Sequence, residues 1–378
     1  MKGRLTTGIR PVLTGMLLTT LWWLAACSGI EDGPMREDFS EQGRGIFILN
    51  EGNYNSGNAS LSYYDPQGRT VQNGIFLRAN DRKLGDTGQS ITLKNGTAFI
   101  AVENSGIVWG IDAETFRVKG QLTAPETEHM INPRYVHFLS NEKAYVTDLY
   151  SPYITIFNPT TFQYLGSIST GRPTLYGYCS TEQMVECAGL VFTNCWCYSD
   201  VILVINPRQD AVVDSIHLRT SMQPKSMVRD CRDRLWVITD GGYEVEEDSF
   251  GENIPHLYCI DPASRTILSD QALDTDEGSV QLATNQKADT LYVINNDIYR
   301  MGIDENHLPV RPFIQAPRDS KGRRHKLYGL SVDPFSGDLY VADAVDYAQS
   351  GVIYRYSTSG QLLDTFRVGI NPNSFAFK

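Results

Sequence analysis

The chain has 378 residues, a globular composition and a formal net charge of −11, so it can bury one large core or two smaller ones. The acidic balance argues against binding nucleic acid or anionic lipid through nonspecific electrostatics. Tyr, Thr, Val and Ile recur in short runs, which favours β structure over helix.

Residues 1–26 have the organisation of an export signal. Lys2, Arg4 and Arg10 form a basic start, a short apolar run follows, and the signal ends in the sequence LAAC at Cys27. The apolar run is shorter than the roughly 20 residues of a membrane-spanning helix. LAAC resembles a bacterial lipobox, which implies that Cys27 is lipidated; a plain secretory signal with an incidental cysteine is the alternative.

Residues 27–44 are polar and acidic and contain Gly and Pro, so we predict a flexible tether. Acidic residues directly after a lipidated cysteine resemble the surface-export signal of Bacteroidetes lipoproteins. This resemblance implies a lipid anchor in the outer membrane, with the protein facing the cell exterior.

A repeated unit of four apolar segments fills residues 45–378. In each unit the third segment ends in a polar turn residue, and these residues lie 43 to 55 positions apart: Asp65, Asp112, Asn158, Asn206, Asp261, Asp304 and Ser357. Seven units of four short strands predict an all-β fold, a seven-bladed β-propeller. Two separate β-sandwiches are the alternative, but they do not explain the regular four-strand register.

The first unit lacks its innermost strand. Its first apolar segment, FILNE at residues 47–51, is followed by the long loop GNYNSGN instead of a two-residue hairpin turn. The C-terminal sequence PNSFAFK matches the inner segments PRYVHFLS and PKSMVRD of other units. We therefore predict that the last strand joins the first blade and closes the ring, which removes the open sheet edge.

The loops are predicted to separate by length onto the two faces of the ring. Connections between the first and second and between the third and fourth strands of each unit are short turns. Those after the second strand and between units are long and rich in Asn, Tyr, Trp and Asp. Such loops are typical of a face that binds a broad, partly flat ligand or a protein partner.

Motifs for catalysis are missing from the sequence: it has no nucleotide-binding, nucleophile-elbow or H-E-x-x-H pattern, and its six histidines are scattered. We expect no catalytic residue, no metal and no cofactor, and therefore not an enzyme. The acidic clusters Glu244–Asp248 and Asp274–Glu277 show no ordered register of Ca²⁺ ligands.

Six cysteines follow Cys27, and an even number in an exported chain permits disulfides without fixing their pairing. Cys195 and Cys197 flank a tryptophan, but without a further ligand pattern buried thiols or disulfides are the preferred interpretation over a metal site. The six are Cys179, Cys187, Cys195, Cys197, Cys231 and Cys259.

The chain resembles the YncE-like propeller lipoproteins of Bacteroidetes from about residue 45 to its end. The resemblance rests on ILNEGNYNSGNASLSYYDP, VFTNCW, LWVITDGGYE, LYVINNDIYRM and GDLYVADAVDY. Within that group the chain is most similar to the BtuG lipoproteins, which capture vitamin B12 (cobalamin) outside the cell. This implies capture of cobalamin or a related corrinoid, transfer to a TonB-dependent outer-membrane transporter, and no nucleic-acid partner.

Candidate ligand contacts come from the long-loop face, which supplies amide, charged and aromatic side chains. They are Asn53, Tyr54, Asn104, Arg134, Tyr150, Glu182, Trp196, Tyr198, Asp240, Tyr243, Asn295, Asn296, Tyr328, Asp343 and Tyr347. A propeller enzyme, either a metal-dependent lactonase or a quinoprotein-like one, is the first alternative. A propeller that binds another ligand or only docks a protein is the second.

Overall fold

The computed structural model of the chain describes residues 44–171, 180–242, 254–273 and 280–378. The predicted signal, the tether with Cys27, the two acidic clusters, Cys179 and Tyr243 lie outside them. In the described ranges, no helix is long and apolar enough to cross a membrane.

The described residues form antiparallel sheets arranged as the seven blades of a β-propeller, which confirms the predicted fold. Blade 1 contains β1 Ile46–Asn50, β2 Ser60–Asp65 and β3 Thr70–Gln72. Blade 2 contains β4 Gly88–Lys94, β5 Thr97–Val102, β6 Ile107–Asp112 and β7 Val118–Thr123. Blade 3 contains β8 Pro133–Phe138, β9 Ala144–Asp148, β10 Tyr153–Phe157 and β11 Tyr164–Ser169. Blade 4 contains β12 Thr181–Cys187, β13 Leu190–Cys195, β14 Val201–Asn206 and β15 Ala211–His217, and blade 5 β16 Pro224–Arg229, β17 Leu235–Thr239, β18 His256–Asp261 and β19 Thr266–Ala272. Blade 6 contains β20 Val280–Thr284, β21 Thr290–Asn295 and β22 Asp297–Gly302, blade 7 β23 Leu327–Val332, β24 Leu339–Asp343, β25 Ser350–Tyr356 and β26 Leu362–Ile370, and the last strand is β27 Pro372–Phe377.

Three short helical segments lie in the long connections. They are α1 at Ile75–Asn80 and two 3-10 turns at Glu103–Ser105 and Ala124–Glu126.

The C-terminal strand closes the ring as predicted. β27 pairs antiparallel with β1, with Phe377 opposite Ile46, so blade 1 has the strand order β27-β1-β2-β3. Each inner strand also contacts the inner strand of the next blade, and β27 lies between β23 and β4. The chain therefore has no unpaired inner edge at β1.

Blade 6 departs from the four-strand pattern in the described residues. Its sheet has three strands, and its outer position holds only an isolated bridge between Ile298 and Ile314. Asp304, the predicted turn residue, forms an ion pair with Arg232 instead of capping the turn. Glu305 caps it, since its carboxylate accepts the Gly302 N–H at 3.0 Å.

In the other blades the predicted turn residues cap the tight turn between the third and fourth strands. Asp112 Oδ1, for example, accepts the N–H groups of Glu114 and Thr115 at 3.0 and 2.9 Å. Such side-chain acceptors satisfy backbone donors that the turn leaves free. The same arrangement recurs at Asp65, Asn158, Asn206, Asp261 and, through its hydroxyl, Ser357.

The apolar core lies between neighbouring blades. Phe47, Tyr63 and Phe116 pack edge to face or tilted between blades 1 and 2, at centroid distances of 5.1 to 5.7 Å. The middle strands are buried on both sides, as the burial of every residue of β1, β5 and β9 shows. The rigid stack of blades leaves an axial space that the inner strands surround.

Candidate functional site

A cavity of about 640 Å³ lies at the axis of the ring, on the face that carries the long loops. Every inner strand contributes to its wall. One register position supplies a polar side chain from each blade, namely the second residue of the inner strand, which we call the ring position. Its seven side chains, which all line the cavity, are Gln89, Arg134, Glu182, Lys225, Gln281, Tyr328 and Asn373.

A break in strand pairing accompanies the ring position. In blade 5, for example, the pairing of the inner strand shifts between Pro224 and Ser226, so that Lys225 is the extra residue of a β-bulge. Bulges re-aim side chains and are common beside functional sites. Similar shifts occur at the inner strands of blades 1, 2, 3, 4 and 7, whereas β20 pairs with β21 without a break.

The charged part of the ring is a buried ion cluster. The Nε of Arg134 donates to both carboxylate oxygens of Glu182, at 3.0 and 2.8 Å. Its Nη1 donates to the carboxylate of Glu103, which follows β5 in blade 2. All three side chains are buried, so the cluster ties blades 2, 3 and 4 together below the mouth of the cavity.

Burial controls the ionisation of this cluster. It raises the pKa of Glu182 to about 7, and the Arg134 charge offsets only part of that effect. Burial also raises the pKa of the adjacent Tyr135 phenol to about 12. Although burial alone disfavours the Arg134 cation, Glu182 and Glu103 outweigh it and hold the pKa of Arg134 above its usual value.

The raised pKa of Glu182 predicts a pH-dependent stability. The folded state holds the proton more tightly than the unfolded chain, so this contribution is complete below about pH 4.5 and is lost as the pH rises through about 7. Glu182→Gln removes this contribution. The free energy of unfolding of the variant, relative to that of wild type, should therefore rise by roughly 3 kcal/mol as the pH increases from about 4.5 to about 7. Urea denaturation from pH 4.5 to 8 measures the difference.

The matched control is Glu142→Gln, because Glu142 is exposed in a short turn on the opposite face. The difference in free energy of unfolding between Glu142→Gln and wild type should not change with pH over the same range. A flat profile for Glu182→Gln as well would contradict the raised pKa.

A second carboxylate reaches the cavity from blade 1. Glu51 follows β1, and its Oε2 accepts a hydrogen bond from the Tyr328 hydroxyl at 2.7 Å. Burial raises the pKa of Glu51 despite this hydrogen bond, and burial next to Glu51 raises the pKa of Tyr328 well above its usual value. The Tyr347 ring meets the Tyr328 ring edge to face, with centroids 5.8 Å apart.

The side of the cavity formed by blades 4 and 5 is aromatic and charged. Trp196 Nε1 donates to Asp240 Oδ2 at 2.8 Å, and Lys225 Nζ lies 5.9 Å from the centre of the Trp196 ring. Burial raises the pKa of Asp240, and Lys225 and Trp196 oppose that shift. Tyr198 of blade 4 and Tyr150 of the neighbouring blade 3 complete this wall.

Seven of the fifteen predicted contact residues line the cavity together. They come from blades 1, 3, 4 and 7 and are Tyr54, Arg134, Tyr150, Glu182, Trp196, Tyr198 and Tyr328. Three more support its rim. Asp240 orients Trp196, Tyr347 packs on Tyr328, and Asn53 Nδ2 donates to the Tyr347 carbonyl at 2.6 Å.

Four predicted residues are not in the cavity wall. Asn104 bonds to Asn55 and Asp86 in the loops of blades 1 and 2. Asn295 is buried at the end of β21, and Asn296 has the positive φ of 63° that its tight turn requires. Asp343 is fully buried, and it accepts the Val345 N–H at 2.8 Å and approaches His325 Nδ1 at 2.6 Å.

The prediction missed several wall residues. Glu51 and Glu103 follow the second strands of blades 1 and 2, and Gln89, Lys225, Gln281 and Asn373 occupy ring positions. The signal lay in the repeats, because aligning the inner segments places one polar residue of each at the same point. The β-bulges obscure this pattern, because they interrupt the alternation from which one infers which side chains face the axis.

Among the described cysteines, Cys187, Cys197, Cys231 and Cys259 are thiols outside any disulfide. Cys187, Cys195 and Cys259 are buried, while Cys231 is exposed. Cys197 lines the cavity, and burial raises its pKa to about 12, so it stays protonated. Among the described residues no group of three or more His, Cys, Asp or Glu side chains is placed to hold a metal ion.

Comparison with known proteins places the chain in a family. Residues 44–370 match a family model described as a domain of unknown function, DUF5074. The chain belongs to this family. A search of curated proteins finds no match.

Solved structures share the fold at low sequence identity. A quinoprotein alcohol dehydrogenase-like protein from Bacteroides thetaiotaomicron has a TM-score of 0.63 and 15% identity over 90% of this chain and 79% of its own. A candidate 6-phosphogluconolactonase from Bacteroides fragilis has a TM-score of 0.61 and 13% identity, over 89% of this chain and 98% of its own. A protein of unknown function from Desulfotomaculum acetoxidans has a TM-score of 0.61 and 10% identity, over 89% of this chain and 98% of its own. At these identities the likeness shows the propeller fold alone.

Proposed function

We propose that this protein is a non-enzymatic capture protein that binds cobalamin or a related corrinoid and passes it to a TonB-dependent outer-membrane transporter. The observation that carries the proposal is the axial cavity, into which all seven blades project a polar side chain beside a tyrosine- and tryptophan-rich wall. This arrangement offers many hydrogen bonds and flat apolar surface to one large ligand.

The chemistry of a corrinoid suits that wall. Its flat macrocycle carries carboxamides around its edge, and these match the ring-position amides Gln89, Gln281 and Asn373. Trp196 and Tyr150 provide apolar faces for the macrocycle. Rim tyrosines such as Tyr54, which is 59% exposed, extend this surface beyond the cavity, so that a ligand wider than the cavity is still contacted.

The ring positions of the site lie on strands, which favours tight binding. Ring residues sit on inner strands that are held by neighbouring blades, as when Asn373 Nδ2 donates to the carbonyls of Gly88 and Gln89, both at 3.1 Å. A rigid wall loses little conformational entropy when a ligand binds. The ring part of the wall therefore needs no loop folding, whereas Tyr150, Trp196 and Tyr198 lie in loops.

The proposed location rests on the sequence of the leader. A lipidated Cys27 followed by an acidic tether would hold the propeller at the outer membrane on the exterior side. A transporter in the same membrane is then the partner that receives the ligand.

An enzyme is the competing class, and Glu182 is its best support because a pKa near 7 suits acid–base catalysis. However, Arg134 Nε donates to both oxygens of that carboxylate and orients it within the ion cluster. This geometry favours a structural ion pair and supports the binding function.

Isothermal titration with cyanocobalamin tests the proposal, and we expect one site per chain. Trp196→Ala should weaken binding by roughly 10- to 100-fold because a cavity aromatic of this kind is a typical hot spot. The control Phe335→Ala removes an exposed aromatic that lines a different pocket, on the opposite face, and should leave the affinity unchanged.

Absence of heat and of a spectral shift at micromolar ligand would rule out cobalamin capture. One metal ion per purified chain, found by elemental analysis, would favour the enzyme instead.

A further inference from the structure

Two side chains that line the axial cavity each carry a buried amide oxygen without a hydrogen-bond partner among the described residues. Gln223 is 2% exposed and lines the cavity, and its Oε1 has no hydrogen-bond partner among the described residues. The Oδ1 of Asn373 is likewise buried and unpaired within the described ranges. A buried acceptor without a donor costs free energy, which a ligand recovers if it supplies that donor.

The orientation of the Asn373 amide is fixed by its surroundings. Its Nδ2 already donates to two backbone carbonyls, those of Gly88 and Gln89. Reversing the amide would place its oxygen against both carbonyls, so Oδ1 is the atom left free. The unpaired acceptor is therefore a property of the wall.

Glu51 adds a carboxyl group to this set. The Tyr328 hydroxyl occupies its Oε2, and among the described residues no hydrogen bond reaches Oε1. Glu51 lines the same cavity as Gln223 and Asn373. Blades 1 and 5 thus hold acceptors beside the axial space.

The charges that face the cavity reinforce this preference. Four carboxylates, those of Glu51, Glu103, Glu182 and Asp240, lie in or directly behind its described wall. Arg134 is bound by two of them, and the other wall cation is Lys225, beside Trp196. Above the raised pKa of Glu51, a ligand carboxylate near it would meet a like charge away from water, where repulsion is weakly screened.

The geometry points to a specificity rule: the cavity selects ligand groups that donate N–H bonds, such as carboxamides or amines, and excludes anionic groups, with Glu51 as the specificity-determining residue. This inference rests on the proposed capture function and adds the ligand chemistry that the site recognises. The rule also distinguishes this cavity from binding sites that accept phosphorylated or carboxylated sugars.

A pair of ligands that differ in one group tests the rule. Cyanocobalamin and its monocarboxylic acids, in which one peripheral carboxamide is hydrolysed, have nearly the same size and shape. Wild-type protein should bind the amide at least roughly tenfold more tightly than the acid whose changed side chain enters the cavity. Raising the salt concentration should change this ratio little, because the site is shielded from solvent ions.

Glu51→Gln keeps an acceptor for Tyr328 while it removes the charge, so the preference for the amide should fall to within about threefold. Glu142→Gln makes the same chemical change on the opposite face and should keep the wild-type preference. Thermal unfolding of both variants checks that the propeller is intact. The wild-type ratio tests the rule even if Glu51→Gln is unstable.

The outcomes separate the two claims. If wild-type protein binds neither ligand, the capture function fails and the rule with it. Equal binding of amide and acids by wild type overturns the rule and leaves the capture function standing. An unchanged preference in Glu51→Gln removes Glu51 as the residue that sets it.

Discussion

Deletion of residues 372–378 is expected to destabilise the whole ring. The deletion removes β27, which pairs along the full length of β1 and packs Phe375 and Phe377 between blades 7 and 1. It also exposes the inner edge of β1, whose five residues are all buried. We expect the free energy of unfolding to fall by more than about 5 kcal/mol, from lost apolar burial and unpaired backbone groups.

Urea denaturation followed by both tryptophan fluorescence and circular dichroism measures this loss. Wild type should unfold in one transition that the two probes share. The truncated chain should unfold at much lower urea or aggregate through the free edge of β1.

A circular permutant is the matched control. Lys378 N donates to Gly45 O at 2.9 Å, so the end of β27 lies beside the start of β1. Moving residues 372–378 in front of residue 44 through a short turn restores every strand pair, and it should recover most of the wild-type stability. A truncated chain as stable as wild type would show that ring closure through β27 contributes little.

The repeat unit made the fold predictable. Residues such as Asp112 and Asn158 mark the tight turns, and these depend on local chemistry that a short sequence specifies. Closure followed from the similarity of PNSFAFK to other inner segments. In blade 6 Asp304 lies in the turn as predicted, but its carboxylate binds Arg232 of blade 5, and Glu305 caps the turn instead.

The site was predictable only in part, for a different reason. Residues after the second strands, such as Trp196, follow from loop position, and seven predicted residues do line the cavity. Asp343 is instead the last residue of β24 and turns inward, where its carboxylate accepts the Val345 N–H. Whether a polar residue at a strand end faces a ligand or caps a loop depends on tertiary contacts that the sequence of one repeat does not specify.

Arg134→Met is the other substitution with a large expected effect. It removes the cation that Glu103 and Glu182 share, and both carboxylates are then buried without a charged partner. Breaking a buried ion cluster in this way costs about 3–5 kcal/mol. We expect that loss in the free energy of unfolding at pH 8.

The pH dependence of the loss identifies its cause. In Arg134→Met the two carboxylates can relieve the penalty by taking up protons, so the difference from wild type should shrink as the pH falls from 8 toward 5. A loss caused by side-chain packing alone would be the same at both pH values. Urea denaturation at pH 5 and pH 8 distinguishes the two.

Arg232→Met is the control for this experiment. Arg232 pairs with Asp304 across blades 5 and 6, but both side chains are more than half exposed. Because exposed ion pairs contribute little, its removal should change stability by less than about 1 kcal/mol. If Arg134→Met were as mild, the cluster would not hold blades 2, 3 and 4 together, and the rigid wall on which the proposed ligand capture depends would need another support.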